Sequence, residues 1–424
     1  MTAASGSARG REAAQILRDN DRGGYTVPTR GLYPFQWNWD SCFVALGWAS
    51  FDLDRAFAEI ETLFTGQWPD GMVPHIVFHR PDPGYFPGPE RWGTDHAPPT
   101  SGITQPPVAA SCVRRLLDRA GADAATAEPR ARALFPKLLA WHRWFHEVRD
   151  PDATGLVTTL HPWETGMDNS PAWDEALARV EVPADLEPYV RKDTTHVDPA
   201  MRPTGAEYDR YVTLVQLYRR HGWRHEITKL SPFRVADVAT NCILLRADRD
   251  LLALAERFGE TEAAELIRGW IARSEGAFQR FVDPASGMWR SFGQVAGKAV
   301  PAATSAGFLA FWAGLGDDAL ARQLEAWIAK APHAVASVAP DDPRFDSKRY
   351  WRGPIWAVVN FMIAEGLREA GHAALAERMR SDTRGLIDGA GFHENFDPLD
   401  GTGAGGAHFT WTAAMWLAWA DPDR

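Results

Sequence analysis

The sequence predicts an all-α protein, an (α/α)6 barrel whose long loops gather into a cup at one end. Three observations carry this reading. Apolar residues recur at three- and four-residue steps, strict alternation is scarce, and one helix-then-turn phrase repeats along the chain. In ETEAAELIRGWIARSEGAFQRF, Ala263, Leu266, Ile267, Trp270, Ile271, Ala277, Phe278 and Phe281 share a helical face. Leu251, Leu254, Ala255 and Phe258 do the same just upstream, and RFGET joins the two as a hairpin. Comparable stretches lie near residues 10–19, 41–64, 105–119, 129–148, 205–220, 232–249, 305–330, 354–370, 373–387 and 407–419. FHEVRDPDATGL, FQRFVDPASGMW and the looser NFDPLDGTG each set Asp-Pro and then Gly after an aromatic residue. That is turn chemistry, with Pro fixing φ and Gly taking the left-handed position. Hairpins that recur in this way need neighbours to bury their faces, and about a dozen helices in two concentric rings supply them.

The 424 residues are read as one domain, 1–424, since closed barrels run long. Residues 66–104 are too long for a plain connection and are expected to form a lid or wall of the cup. A net charge of −10 leaves no basic excess to neutralise phosphates, which excludes nucleic acid as a partner. Cys42, Cys112 and Cys242 are far apart and flanked by apolar residues, so they read as buried free thiols. The opening MTAASGSARGREAAQ lacks the apolar core of a secretory signal, and no apolar run approaches membrane-spanning length. The expectation is a cytoplasmic protein without a membrane partner, its oligomeric state left open.

Nineteen tryptophans are the compositional anomaly. Many sit in loop-like stretches with Gly, Pro, Asn and Asp: Trp37, Trp39, Trp68, Trp92, Trp163, Trp173, Trp289, Trp351 and Trp356. Large rings in a core would account for roughly half of them; indoles gathered in loops suit stacking on sugar faces. Four stretches combine aromatics, Gly or Pro, and charge outside the helical pattern. They are YPFQWNWDS (33–41), HPWETGMDNSPAW (161–173), KRYWRGPIW (348–356) and GFHENFDPLDGTG (391–403). Spread along the whole chain, they can meet only at one end of a barrel.

These stretches, in this order from about Tyr25 to Trp416, resemble the signature segments of glycoside hydrolase family 63. The resemblance implies an (α/α)6 catalytic barrel that cleaves α-glycosidic bonds with inversion, without a cofactor or metal. The chain is similar in length to compact bacterial members, several of which act on glucosylglycerate or mannosylglycerate. By the same likeness Asp168, in the Gly166-x-Asp motif, is the general acid, and Glu394 the general base. Residue chemistry agrees for Asp168, because an aromatic wall of Trp163, Met167 and Trp173 would raise its pKa. Read alone, it would begin a turn before Asn169. Glu394 read alone would be an ordinary surface acid. Inversion needs the two carboxyls about 6.5–9.5 Å apart with water between them.

Asp40 either caps the helix it precedes or accepts from sugar hydroxyls while indoles stack on the ring, and both roles are compatible. Tyr33, Trp37, Trp39, Trp163, Tyr350, Trp351 and Trp356 are expected to line the sugar subsite, with Arg352 orienting a catalytic carboxylate. His75 and Tyr85 would arrive with the 66–104 segment. An anionic substrate entering an acidic cup needs a cation, and the resemblance assigns Arg202 and Tyr208 to the glycerate, helped by Tyr85 and Gln105. The predicted partner is a small glycoside, 2-O-α-glucosyl- or mannosylglycerate. A trehalase-like or oligosaccharide α-glucosidase and a non-catalytic sugar-binding barrel are the alternatives. Two signals are set aside. Gly401, Gly403 and Gly406 spell G-x-G-x-x-G without a preceding strand, so they serve the loop behind Glu394 and not a dinucleotide. His221 and His225 lack a third metal ligand.

Overall fold

In the computed structural model, which describes residues 7–195 and 197–423, the helices begin and end on local chemistry. In chain order they are α1 (Ala8–Asn20), α2 (Asn38–Trp48), α3 (Leu53–Leu63), α4 (Ala109–Arg119), α5 (Ala124–Trp144) and α6 (Gly205–Arg220). There follow α7 (Val238–Phe258), α8 (Thr261–Ala277), α9 (Asp318–Ile328), α10 (Ala357–Glu369), α11 (Ala373–Ala390) and α12 (Thr410–Met415). Ser7, Asp52, Asp237 and Asp317 accept hydrogen bonds from the first-turn amides of α1, α3, α7 and α9. Thr204 and Glu207 form a reciprocal capping box on α6. Gly259, at φ 76°, ends α7 in the left-handed conformation.

Six elements close the inner ring. α2, α4, α7, the 3-10 segment Ser305–Ala310, α10 and α12 each pack on the next, and α12 returns to α2. All eleven residues of α2 are buried, as expected of a helix surrounded by others. α1, α3, α5, α8 and α11 pack outside on ring members, and Trp327 of α9 meets Phe308 edge to face. Connections from an inner to an outer element are short turns, such as Ala49–Asp52 and Gly259–Glu260. Connections from outer to inner are long: residues 21–37, 64–108, 145–237, 278–304, 329–356 and 391–409. Alternating direction puts all of them at one end, and they make the cup.

The ring count matches the sequence reading, but two memberships change. α6 has barrel-like periodicity yet lies within the third long connection, against the turn Pro89–Trp92. Residues 305–310, read as part of one long helix, take an inner-ring position as a 3-10 segment, and α9 starts anew at Asp317. The 41–64 stretch divides into α2 and α3 because Asp52 caps a second helix. The 232–249 stretch and the helix half after it are one helix, α7. The Asp-Pro echo is a real geometric repeat: Gly155, Gly287 and Gly401 all have positive φ, each after an outer-ring helix. All three cysteines are buried and unpaired. Among the described residues no helix is long and apolar enough to cross a membrane. The first six residues and Arg424 of the expected single domain, and with them part of the leader reading, lie outside the described residues.

The front of the 66–104 segment is tied into the wall. Ile76–Val77 pairs antiparallel with Gln36–Trp37, the His75 amide donates to Ile103 O at 2.8 Å, and Phe78 N to Pro99 O at 2.9 Å. Residues from Met72 to Phe78 are buried, whereas Pro81–Gly84 are largely exposed.

A buried polar triad joins the two rings. Asp248 on α7 meets His142 Nδ1 at 2.7 Å and His146 Nε2 at 2.9 Å, and all three are buried. Burial opposes its charge, but His146 and His142 outweigh that and hold its carboxyl below the usual range. A depressed folded-state pKa contributes stability above the unfolded value that is lost as pH falls. Asp248→Ala should therefore cost about 1–3 kcal/mol for each stranded ring nitrogen, read from urea unfolding by tryptophan fluorescence. The difference from wild type should narrow as pH drops below about 3.9.

Candidate active site

Five of the six long connections reach a single cavity at the floor of the cup. Its lining is Pro28, Tyr33, Trp37, Trp39, Asp40, His75, Tyr85, Gln105, Trp163, Gly166, Asp168, Tyr350, Glu394, Phe409 and Trp411. Indoles and phenols form the walls, and the three acids converge from α2, the third connection and the sixth.

The acids of HPWETGMDNSPAWDEAL part company here. Glu164 is buried against Arg149 and accepts from Leu160 N at 2.6 Å. Asp174 pairs with Arg352, and Glu175 with Arg179 and Lys298, each at 3.0 Å. Only Asp168 of the four turns to the cavity. Its backbone carbonyl accepts from Tyr211 Oη at 2.7 Å, and no other side chain among the described residues donates to its carboxylate. Burial raises its pKa to about 7 against the opposing pull of Arg202, with the charge on Glu394 adding to the rise. Gly166 makes the bend, at φ 68°, and any Cβ there would strike the Trp39 ring.

Glu394 has the opposite surroundings. It lies on the strand His393–Phe396, paired with Gly403–Ala407. Oε1 accepts from Tyr33 Oη at 3.1 Å and Tyr350 Oη at 2.9 Å; Oε2 accepts from Gly406 N at 3.0 Å. Arg202 Nη2 stands 3.8 Å from Oε2. These donors hold the carboxylate in one orientation. Asp40 lies in the first turn of α2, but the cap position is Trp37 and lacks a side-chain bond, so the capping alternative is not what forms. Burial, with Glu394 and Asp168 nearby, pushes its carboxyl well above the ordinary range.

His75 pairs through Nδ1 with Ser101 Oγ at 2.6 Å and lies between Trp92 and Trp163; burial keeps its pKa well below the usual value. Gln105 Oε1 accepts from Trp39 N at 3.2 Å, and Tyr85 stands edge-on to Trp37. Other expected residues stand behind the lining. Trp351 and Trp356 stack at 3.8 Å and back Tyr350, because the turn at Gly353 folds one indole onto the other. Arg202 is buried beyond Tyr33 and Tyr350, donating to Tyr33 Oη at 2.9 Å, while its Nε and Nη2 have no hydrogen-bond partner among the described residues. Tyr208 donates to Phe86 O at 3.3 Å. Trp173 bonds Met167 O from behind the loop, so of the expected aromatic wall Trp163 alone lines the cavity. Arg352 does not touch a catalytic carboxylate: it pairs with Asp174 and Glu207. His225 pairs with Asp70 at 2.8 Å, and His221 closes α6.

Pro28, Phe409 and Trp411 were not anticipated in the lining. Trp411 bonds Glu394 O at 3.1 Å, yet its place in an apolar helix makes it look like core. The hairpin glycines do serve Glu394, as expected, but the decisive one is Gly405, at φ 71° with its Cβ position against Glu394 Oε2.

A family model described as the mannosylglycerate hydrolase MGH1-like glycoside hydrolase domain matches residues 33–412. The chain belongs to that family. It is 54% identical to mannosylglycerate hydrolase MGH1 of Selaginella moellendorffii over 413 residues, covering 96% of this chain and 84% of the relative. It is 36% identical to the glucosylglycerate hydrolase of Mycolicibacterium hassiacum, covering 96% of each. The family 63 mannosylglycerate hydrolase of Thermus thermophilus, in a crystal complex with Tris and D-glycerate, superposes with a TM-score of 0.93. That structure is 49% identical and the match covers 96% of this chain and 99% of the other.

In this glycoside hydrolase the hairpin behind Glu394 leaves no room for a methyl group. Gly405→Ala should displace the carboxylate and lower turnover about 100-fold, the scale of a misplacement near 1 Å. Thermal unfolding should shift far less than activity, and a variant with near-wild-type kcat would show the hairpin to be slack.

Proposed function

We propose that the protein hydrolyses 2-O-α-mannosylglycerate to mannose and glycerate with inversion, Asp168 acting as general acid and Glu394 as general base. The observation that carries this is the pairing of two carboxyls in one cavity with opposite surroundings. Asp168, in a wall of rings with a pKa near 7, can hold a proton at neutral pH. Glu394, amid donors from Tyr33, Tyr350 and Gly406, suits a group that accepts one. Asp168 gives its proton to the bridging oxygen as the bond to the anomeric carbon breaks, so glycerate leaves neutral at that oxygen. Water attacks the opposite face and passes a proton to Glu394. Trp37, Trp39 and Trp163 stack on the sugar, and Asp40 accepts from its hydroxyls.

Mannose is preferred over glucose in this reading because relatives named mannosylglycerate hydrolase reach 54% identity, against 36% for a relative named glucosylglycerate hydrolase. The spare Nε and Nη2 of Arg202 support its role as the cation that meets the glyceryl carboxylate, with Tyr208, Tyr85 and Gln105 beside it. The exposed tip Pro81–Gly84 is the part of 66–104 free to close over the substrate, bringing Tyr85 inward.

The deciding experiment is a hydrolysis panel of mannosylglycerate, glucosylglycerate, trehalose, kojibiose and maltose, with NMR on the first product. The β-anomer should appear before mutarotation; an initial α-anomer would mean a covalent intermediate. Asp168→Asn and Glu394→Gln should each lower turnover about 10²–10⁴-fold. The acid must be protonated, so kcat/KM should fall as pH rises through about 7, and Asp168→Asn should abolish that limb. Arg202→Ala should lower kcat/KM for carboxylated substrates about 10- to 150-fold, with methyl α-mannoside affected much less. Equal losses on both would leave Arg202 as a support for Glu394 alone.

A further inference from the structure

We infer that Glu207 is a positioning residue for the general acid, a clasp that fixes the Asp168 loop, through Asn169, to α6 and to the segment carrying Arg349 and Arg352. The inference rests on the assignment of Asp168 as acid. Asp168 and Glu394 are held in different ways. Glu394 is gripped at its own carboxylate by Tyr33, Tyr350 and Gly406. No side chain among the described residues donates to the Asp168 carboxylate, so its aim depends on where the backbone of its loop is held.

Beyond the loop's internal bonds, such as Trp173 Nε1 to Met167 O, two anchors at Asp168 and Asn169 come from one face of α6. Tyr211 Oη donates to Asp168 O at 2.7 Å. One turn earlier, Glu207 Oε1 accepts from Asn169 Nδ2 at 3.2 Å. Glu207 also reaches the fifth connection, which carries Tyr350. Arg349 Nη2 meets its Oε2 at 2.7 Å and Arg352 Nη2 its Oε1 at 3.1 Å. Arg352 in turn grips Asp174, at the far end of the acid loop. The same carboxylate caps α6 through Thr204 N at 2.6 Å and Thr204 Oγ1 at 2.8 Å.

One carboxylate thus links three segments that no secondary structure joins. A long side chain at any of these positions could swing in isolation. Two guanidiniums and a capping box fix Glu207 from three directions, so Asn169 meets a rigid acceptor. Burial opposes the charge on Glu207, but the Thr204 bonds and the arginines outweigh it. A sub-ångström drift of Asp168 matters because proton transfer needs hydrogen-bond contact with the bridging oxygen.

Leaving-group dependence separates this role from a structural one. Glycerate needs protonation to depart, and fluoride does not. The test measures kcat on 2-O-α-mannosylglycerate and on α-D-mannosyl fluoride for wild type, Glu207→Gln, Asn169→Ala, the double variant and Asp168→Asn. Gln keeps the size and part of the Thr204 cap but cannot pair with two arginines; Asn169→Ala leaves α6 and the arginines untouched. Each single variant should lose about 10- to 100-fold on the glycerate substrate while fluoride turnover barely changes. The double variant should be no worse than the poorer single one, since both break the same tie. Equal loss on both substrates, or no loss on either, would overturn the clasp. If Asp168→Asn slows fluoride as much as mannosylglycerate, the acid assignment itself falls and the clasp with it. If Asp168→Asn discriminates and the Glu207 and Asn169 variants do not, the clasp falls alone.

Discussion

Three carboxyls share one buried cavity, and the rest of the site follows from that constraint. The charge on Glu394 adds to the cost of ionising Asp40 and Asp168, on top of their cost of leaving water. They cannot all be charged cheaply in a cup walled by indoles. The fold resolves this by directing its polar donors to one of them. Glu394 receives two phenols and a backbone amide, with a guanidinium close by, whereas burial pushes the carboxyls of Asp168 and Asp40 above their ordinary range. Two carboxyls of the same chemistry are thereby given opposite surroundings by the fold alone.

The sequence made the architecture legible because helical periodicity is local and every outer helix must find a partner. It also predicted that the four aromatic stretches meet, since an alternating barrel sends every outer-to-inner connection to the same end. It failed where tertiary packing overrode period. α6 carries a regular apolar face but packs it on the Pro89–Trp92 turn, and the short Ser305–Ala310 segment holds a ring position without the length of a helix. Within the site, residues flanked by Gly, Pro or acids were readable as lining of the cavity. Trp411 and Phe409 were not, because an aromatic inside an apolar run looks the same whether its far edge meets core or cavity. Trp351 and Trp356 erred in the other direction: loop tryptophans that stack on each other instead of on a ligand. Pairing was invisible too. Four acids in seventeen residues gave no hint that Arg149, Arg352 and Arg179 would claim three of them.

Those pairings explain how a loop-built site can be rigid. Apolar walls bury area without fixing the register of one loop on another, because an indole can slide. Polar ties fix it, since breaking one strands a partner at a cost well above the net worth of the bond. The ties here lie behind or beside the cavity lining. Arg91 and Arg219 converge on Glu187, Arg149 holds Glu164, and Arg349 and Arg352 hold Glu207. The Arg91–Glu187 pair and the two arginines on Glu207 join different connections, whereas Arg149–Glu164 and Arg219–Glu187 tie together parts of the third. Arginines thus brace the cup, and among the described residues only Arg202 forms an ion-pair contact with one of the three cavity acids. Its guanidinium donates to the same Tyr33 hydroxyl that bonds Glu394 and stands 3.8 Å from Glu394 Oε2, while Nε and Nη2 find no hydrogen-bond partner among the described residues. This cation is therefore tied into the wall of the cavity without spending all of its donors.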